Sequence, residues 1–146
     1  YFRRWWQNQS KHTQDVVHKL VQSGQLAFAN GGWCVNDEAA AHYNTIIDQM
    51  TIGIQFLRDT FGVCAEPKVS WQIDPFGASR EMANLYAQMN FDGHIVNRGN
   101  QLHGEFLWNT SADQSILTSV LHDHYSAPRG FNFEDGKQNG TVGYLI

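Results

Sequence analysis

Lys68-Val69-Ser70-Trp71-Gln72-Ile73-Asp74-Pro75-Phe76-Gly77 alternates apolar and polar side chains as far as the aspartate, then breaks at a proline and a glycine. Val69, Trp71 and Ile73 fall on one side of such a segment, which is the period of a strand, and a turn follows because Pro75 lacks the amide that a ladder needs. Upstream, Tyr43, Ile47, Met50, Ile54, Leu57 and Phe61 recur at helical spacing before Gly62, with Asn36 or Asp37 placed to cap the helix. Before that helix, Gln25 to Asn30 reads as a short strand ended by Gly31-Gly32, and Phe2 to Ser23 reads as a leading helix stopped by Gly24. Downstream, Ser79 heads a third helix carrying Met82, Leu85, Tyr86 and Met89, and His94 to Arg98 reads as the next strand. A leading helix followed by βαβαβ predicts an α/β fold with a parallel sheet, because parallel neighbours need a crossover connection. From Gly99 onward the pattern weakens, leaving Leu117 to Leu121 as a short helix and residues 126–130 and 134–140 as surface loop.

Composition narrows the function. The 146 residues allow one domain, 42% of them are hydrophobic, and only 16% are charged, which excludes a disordered chain. Ten basic against 14 acidic residues give a net charge of −4, and the longest basic run is Arg3-Arg4, so a nucleic-acid partner is not expected. No run of about 18 apolar residues predicts a membrane-spanning helix. Cys34 and Cys64 are too few for a disulfide framework and lack metal-type spacing. The sequence opens without Met in an aromatic segment and stops on the apolar run 142–146, so it reads as an internal piece of a longer protein.

In a parallel sheet, chemistry collects at the carboxyl ends of the strands. Asn30, Asp74 and Arg98 fall at such ends. Asp74, held by Pro75 and followed by Phe76, suits a nucleophile, a general base or a metal ligand, while the same Asp-Pro pair also starts a turn by bonding its own backbone. Arg98 is a natural ion partner for it or a rim pair of its own. Trp33 could wall a sugar site and Asp37 could bond hydroxyls, yet Asn36, Asp37 and Glu38 equally suit helix capping, with His42 four residues beyond Glu38 on the same helix. His122 and His124 could present two imidazoles to a metal or be ordinary loop histidines. Asn8-Gln9-Ser10, Asn109-Thr110-Ser111 and Asn139-Gly140-Thr141 are N-glycosylation sequons, which lean toward a secretory route.

Several longer strings carry a resemblance. Tyr1-Phe2-Arg3-Arg4-Trp5-Trp6, Gly31-Gly32-Trp33, Asn36-Asp37-Glu38-Ala39, His42-Tyr43, Ile47-Asp48-Gln49 and above all Trp71-Gln72-Ile73-Asp74-Pro75-Phe76-Gly77 resemble, in this order, the catalytic domain of zinc-dependent retaining α-mannosidases of the lysosomal type, glycoside hydrolase family thirty-eight. The likeness resumes at Phe106-Leu107-Trp108 and His124-Tyr125-Ser126-Ala127-Pro128. It implies a partial parallel β/α barrel, seven-stranded in the full-length family, of which residues 1–146 are an incomplete piece with a motif-bearing core at 1–98 and a loop-rich remainder at 99–146. It implies hydrolysis of terminal α-linked mannose from N-glycans or oligosaccharides in the lysosome or secretory lumen. Asp74 inherits the roles of nucleophile and zinc ligand, and Phe76, Arg98 and Tyr125 match substrate-binding positions. The mechanism implied is double displacement, with a second carboxylic acid protonating the leaving oxygen and water releasing the sugar with retained configuration.

The chain also departs from the family. Ala78 stands where the motif continues with His, and Gly99-Asn100-Gln101 replaces an Asp-Tyr-Gln-type segment. The family's other zinc ligands and its acid have no counterpart and are expected before Tyr1 and beyond Ile146, in the remainder of the parent polypeptide. Two alternatives therefore stand beside the enzyme: a catalytically inactive mannosidase-like glycan-binding protein, and a metal-dependent polysaccharide deacetylase. The 146 residues alone are expected to be inactive, since one ligand cannot hold zinc.

Overall fold

A computed structural model describes residues 1–97, 104–122 and 125–126. Among them the chain runs through α1 (Phe2–Gln7), α2 (Lys11–Gln22), α3 (Tyr43–Phe61), a 3-10 turn at Val63–Ala65, β1 (Val69–Gln72), α4 (Arg80–Gln88), β2 (Gly93–Val96), β3 (Glu105–Asn109) and β4 (Ser115–Val120). The strands form one sheet in the order β1-β2-β4-β3. β1, β2 and β4 are parallel, and β3 lies antiparallel on the outer side of β4. The fold is mixed α/β with a mostly parallel sheet, and β1-α4-β2 is the βαβ unit that the sequence predicts.

Several elements differ from the sequence reading, each for a local reason. The leading helix is two helices, because the Ser10 hydroxyl accepts the Thr13 amide at 3.2 Å and so caps a new start, while Asn8 and Gln9 turn their side-chain amides back onto the carbonyls of Arg4 and Trp5. α3 begins at Tyr43, behind a His42 cap. Asp37 spends its Oδ1 on the amides of Ala39 and Ala40, both at 2.7 Å, and closes a separate turn. Residues 25–30 form no strand. Asn30 takes a left-handed φ of 59°, and this single residue docks on β1 by donating its amide to the Val69 carbonyl (2.8 Å) and accepting the Trp71 amide on its side chain (3.3 Å). Residues 117–120 of the expected helix belong to β4 and Leu121 follows it, and 105–120 form a β-hairpin rather than loop. Arg98 and residues 127–146 lie outside the described residues, as do 99–103, 123 and 124; of the loops expected at 126–130 and 134–140, only the exposed Ser126 is described.

The apolar stripe of α3 joins two core clusters. Ile46 and Met50 pack with Met82, Ala83, Tyr86, Phe91 and Ile116 over the sheet. Leu57 and Phe61 pack with Trp6, Val17, Val21 and Ala65 under α1 and α2. Between the two halves sits Gly53, where the Gly31-Gly32 backbone crosses the helix so closely that an added Cβ would lie 2.1 Å from the Gly31 carbonyl oxygen. The buried stripe, Ile46-Met50-Gly53-Leu57-Phe61, is rotated from the one the sequence suggests, and Tyr43 is exposed.

On β1 the polar side chains are the buried ones. Ser70 and Gln72 are enclosed, whereas Val69 and Trp71 are half-buried. Ser70, His94 and Thr118 are register partners across three strands. Ser70 Oγ and His94 Nδ1 are hydrogen-bonded at 2.9 Å, and the Tyr86 ring lies 5.1 Å from the imidazole. A polar row can be buried here because its members bond one another and the backbone. Burial pushes the His94 imidazole down to about 4, so it is neutral at ordinary pH.

Candidate active site at the end of the parallel strands

The parallel ladder continues past the strand ends. Asn97 donates its amide to the Gln72 carbonyl at 2.9 Å and Leu121 to the Val96 carbonyl at 3.0 Å, which aligns the carboxyl ends of β1, β2 and β4 on one edge. Asp74 emerges from that edge two residues after β1, exposed to solvent. Tyr125, four residues beyond Leu121, reaches back across the sheet and donates its hydroxyl to Asp74 Oδ1. Two predicted site residues 51 positions apart in sequence are thus brought into direct contact. Phe76 stands on the same loop as Asp74 and is exposed. Arg98, the fourth predicted residue, lies outside the described residues.

The loop carrying Asp74 is held at both ends by the segment 36–38. At its root the Gln72 side-chain amide donates to the Asn36 carbonyl at 3.1 Å. At its far end the Ser79 backbone amide donates to Glu38 Oε2. Asn36 is itself fixed by the Gln49 amide on its Oδ1 (3.2 Å), and Gln49 also takes the amides of Trp33 (3.0 Å) and Cys34 (3.1 Å). Burial raises the Glu38 carboxyl above its ordinary value, with the Ser79 N–H pulling the other way. Glu38 and His42 share no helix, so the pair expected from their spacing does not form. The sequence reading missed Glu38, Asn36 and Gln72 as site supports; the available signal was Ser70 and Gln72 alternating toward one face of an otherwise apolar strand.

The remaining candidates are spread over the molecule. Asn30 is buried and serves as an edge for β1. Trp33 is half-exposed under the Arg3 guanidinium, which lies 5.2 Å from its ring centroid, and Asp37 is occupied by its turn. A cavity of about 790 Å³ is mostly apolar and is lined by Phe28, Asn30, Trp33, Phe56 and Trp71 among others, with no contribution from Asp74, Phe76 or Tyr125. The lining of this cavity includes no carboxylate to act on a substrate, so Asp74 remains the candidate for chemistry. His122 is exposed and His124 lies outside the described residues. Asn8 and Asn109 present their sequons at exposed positions, whereas Asn139 lies outside the described residues.

Asp74 offers one oxygen donor to a metal. A closed zinc site takes four ligands, and an open catalytic one takes three from the protein. Among the described residues no group of three His, Cys, Asp or Glu side chains converges. These residues therefore fit one corner of a zinc site and not a whole one.

A model of the glycosyl hydrolases family 38 N-terminal domain matches residues 1–145. The lysosomal α-mannosidase of Homo sapiens is 48% identical over 143 residues, covering 88% of this chain and 14% of its own length. That of Cavia porcellus is 47% identical over 144 residues, covering 89% of this chain and 14% of its own length. The chain thus spans about 14% of the length of these curated relatives. The crystal structure of an α-mannosidase from Enterococcus faecalis V583 superposes with a TM-score of 0.66 at 18% identity, covering 79% of this chain and 13% of that one. At that identity the likeness speaks for the fold alone.

Proposed function

Because the chain belongs to the glycosyl hydrolases family 38 N-terminal domain, we propose that the polypeptide carrying it is an α-mannosidase that removes terminal α-linked mannose from N-glycans or oligosaccharides with Asp74 as its nucleophile. The observation that carries this reading is the Tyr125 hydroxyl donated to Asp74 at the carboxyl edge of three parallel strands. A carboxylate at such an edge faces the space where a substrate enters, and a directed hydrogen bond fixes the oxygen that attacks. Phe76 and Arg98 complete the sugar-binding set in this proposal.

The four strands belong, in this reading, to the family's β/α barrel, and residues 1–146 are part of a larger catalytic domain. The route is retaining double displacement. Asp74 forms a glycosyl ester at the anomeric carbon as the leaving oxygen is protonated, and water then cleaves that ester. The acid comes from residues outside those described. Zinc is part of the proposal with Asp74 as one ligand; when bound it supplies Lewis-acid and template chemistry at the sugar hydroxyls. The lysosome is the site of action in this proposal, a reading supported by the lysosomal α-mannosidases among its relatives.

A second reading is favoured by one observation: Ala78 replaces the histidine of the motif on the very loop that carries Asp74. It makes the protein a glycan binder without turnover. Hydrolysis of an aryl α-mannoside by the full polypeptide, lost by at least about 10³-fold in Asp74→Asn, supports the enzyme. Binding of mannosides without release of the aryl group by wild type supports the binder. Release of acetate from an acetylated polysaccharide, with no mannose, would instead support the deacetylase.

A further inference from the structure

Loop 73–79 carries the two exposed groups of the proposed site, Asp74 and Phe76, and it has no side-chain cap of its own where it enters α4. Ser79 is the N-cap residue of that helix, yet its hydroxyl makes no capping bond. The missing anchor comes from 41 residues upstream: Glu38 accepts the Ser79 backbone N–H. A carboxylate at this position also meets the positive end of the α4 dipole, which offsets part of the cost of its burial. The partner anchor is the Gln72 amide on the Asn36 carbonyl at 3.1 Å. One short segment, itself pinned to α3 through Gln49, thus grips the loop on both sides of the nucleophile.

We propose that Glu38 is a positioning residue, whose carboxylate closes a clamp on loop 73–79 and so holds Asp74 and Phe76 in working geometry at the end of β1. The proposal rests on the α-mannosidase reading for its activity readout but not for the clamp itself. Glu38 touches no substrate; it acts through the backbone of Ser79. Glu38 is half-buried, and that burial raises its carboxyl.

The test uses the full polypeptide with Glu38→Ala, Glu38→Asp and Glu38→Gln. Gln keeps an oxygen of the same reach, Asp withdraws it by one methylene while keeping the charge, and Ala removes it. In Ala and Asp, kcat on an aryl α-mannoside falls at least about tenfold, toward the roughly hundredfold loss that an ångström of misplacement costs. KM changes less than kcat, and Gln recovers activity to within about threefold. Hydrogen exchange of the peptide covering 73–79 is faster in Ala and Asp than in wild type and Gln. Wild-type kcat in Ala and Asp, a Gln variant as impaired as Ala, or unchanged exchange at 73–79 in Asp would each overturn the clamp. Exchange behaving as stated in a wild type that turns over no mannoside would uphold the clamp and sink the enzyme reading instead.

Discussion

Replacing Gly53 by Ala sets two known effects against each other at one position. An alanine inside a helix is favoured over glycine by about 0.5–1 kcal/mol through backbone entropy. Opposing this, the new Cβ would sit 2.1 Å from the Gly31 carbonyl oxygen, 2.5 Å from the Gly32 carbonyl carbon and 2.7 Å from Gly32 Cα. Ordinary contact begins near 3.4 Å, so the crossing backbone must retreat by roughly 1 Å. It has little room to do so. Asn30 is bonded to Val69 at 2.8 Å on one side and Trp33 to Gln49 at 3.0 Å on the other, while Gly31 already lies against Pro67. Overpacking costs about 1–3 kcal/mol, and a clash with main chain belongs at the upper end, so Gly53→Ala is destabilised by about 2 kcal/mol net. Thermal and guanidinium unfolding of the full polypeptide measure this, with the exposed Ile52→Ala as a control within about 0.5 kcal/mol of wild type. Because the displaced segment leads into Asn36 and Glu38, kcat on an aryl mannoside falls as well. A Gly53→Ala variant as stable as wild type would show that helix propensity outweighs the crossing and would refute the clash.

Acid sensitivity has a named source in His94. Its imidazole titrates near 4 in the folded chain against 6.5 unfolded, so above pH 6.5 both states are neutral, and as pH falls toward 4 the unfolded chain takes a proton that the folded one refuses. Stability therefore declines across that window, by on the order of 3 kcal/mol at its lower end, and His94→Gln flattens a plot of Tm against pH there; an unchanged slope would refute the assignment. Tyr125→Phe removes the hydroxyl from Asp74, and since Tyr125 is half-exposed the loss in kcat/KM is about tenfold rather than the larger effect of an enclosed charged hydrogen bond. Undiminished kcat/KM would remove Tyr125 from the site. When the protein is made in a secretory pathway, Asn8 and Asn109 carry glycans, read as a mass shift abolished by Asn→Gln at each; unshifted masses would contradict the lumenal placement.

The parts of the fold legible in the sequence are those whose burial follows apolar spacing. Met50, Leu57 and Phe61 mark the core side of α3, and the alternation ending at Asp74 marks β1 and its turn. What escaped is decided by polar side chains that find partners only in three dimensions. Ser70, Gln72 and His94 alternate with apolar neighbours and Thr118 fell within an expected helix, yet all four are enclosed because they bond one another or neighbouring backbone. The same cause hid β4, where Thr118 sits at a core position between Ile116 and Val120 while Leu117 faces out, so the apolar residues suggested a helix. At the candidate site, the position of Asp74 at the end of β1 was legible from the alternation before it, whereas the choice of Asp74 and Tyr125 as site residues came from the family strings and not from spacing. Glu38 was not legible, because its partner is a backbone amide 41 residues away and its nearer use as a helix cap was chemically sound. Asn30 was misread for a similar reason: one left-handed residue supplies to β1 the edge that a whole strand was expected to provide.

The central claim is that Asp74 is the covalent nucleophile of a mannoside hydrolase. Incubating the full polypeptide with a fluorinated mannosyl fluoride, which forms its glycosyl ester faster than water removes it, and digesting the product for mass spectrometry tests this directly. One mannosyl adduct is expected, on the peptide spanning 69–79 and at Asp74 itself. An adduct on another carboxylate, or full inactivation with Asp74 unlabelled, would contradict the account.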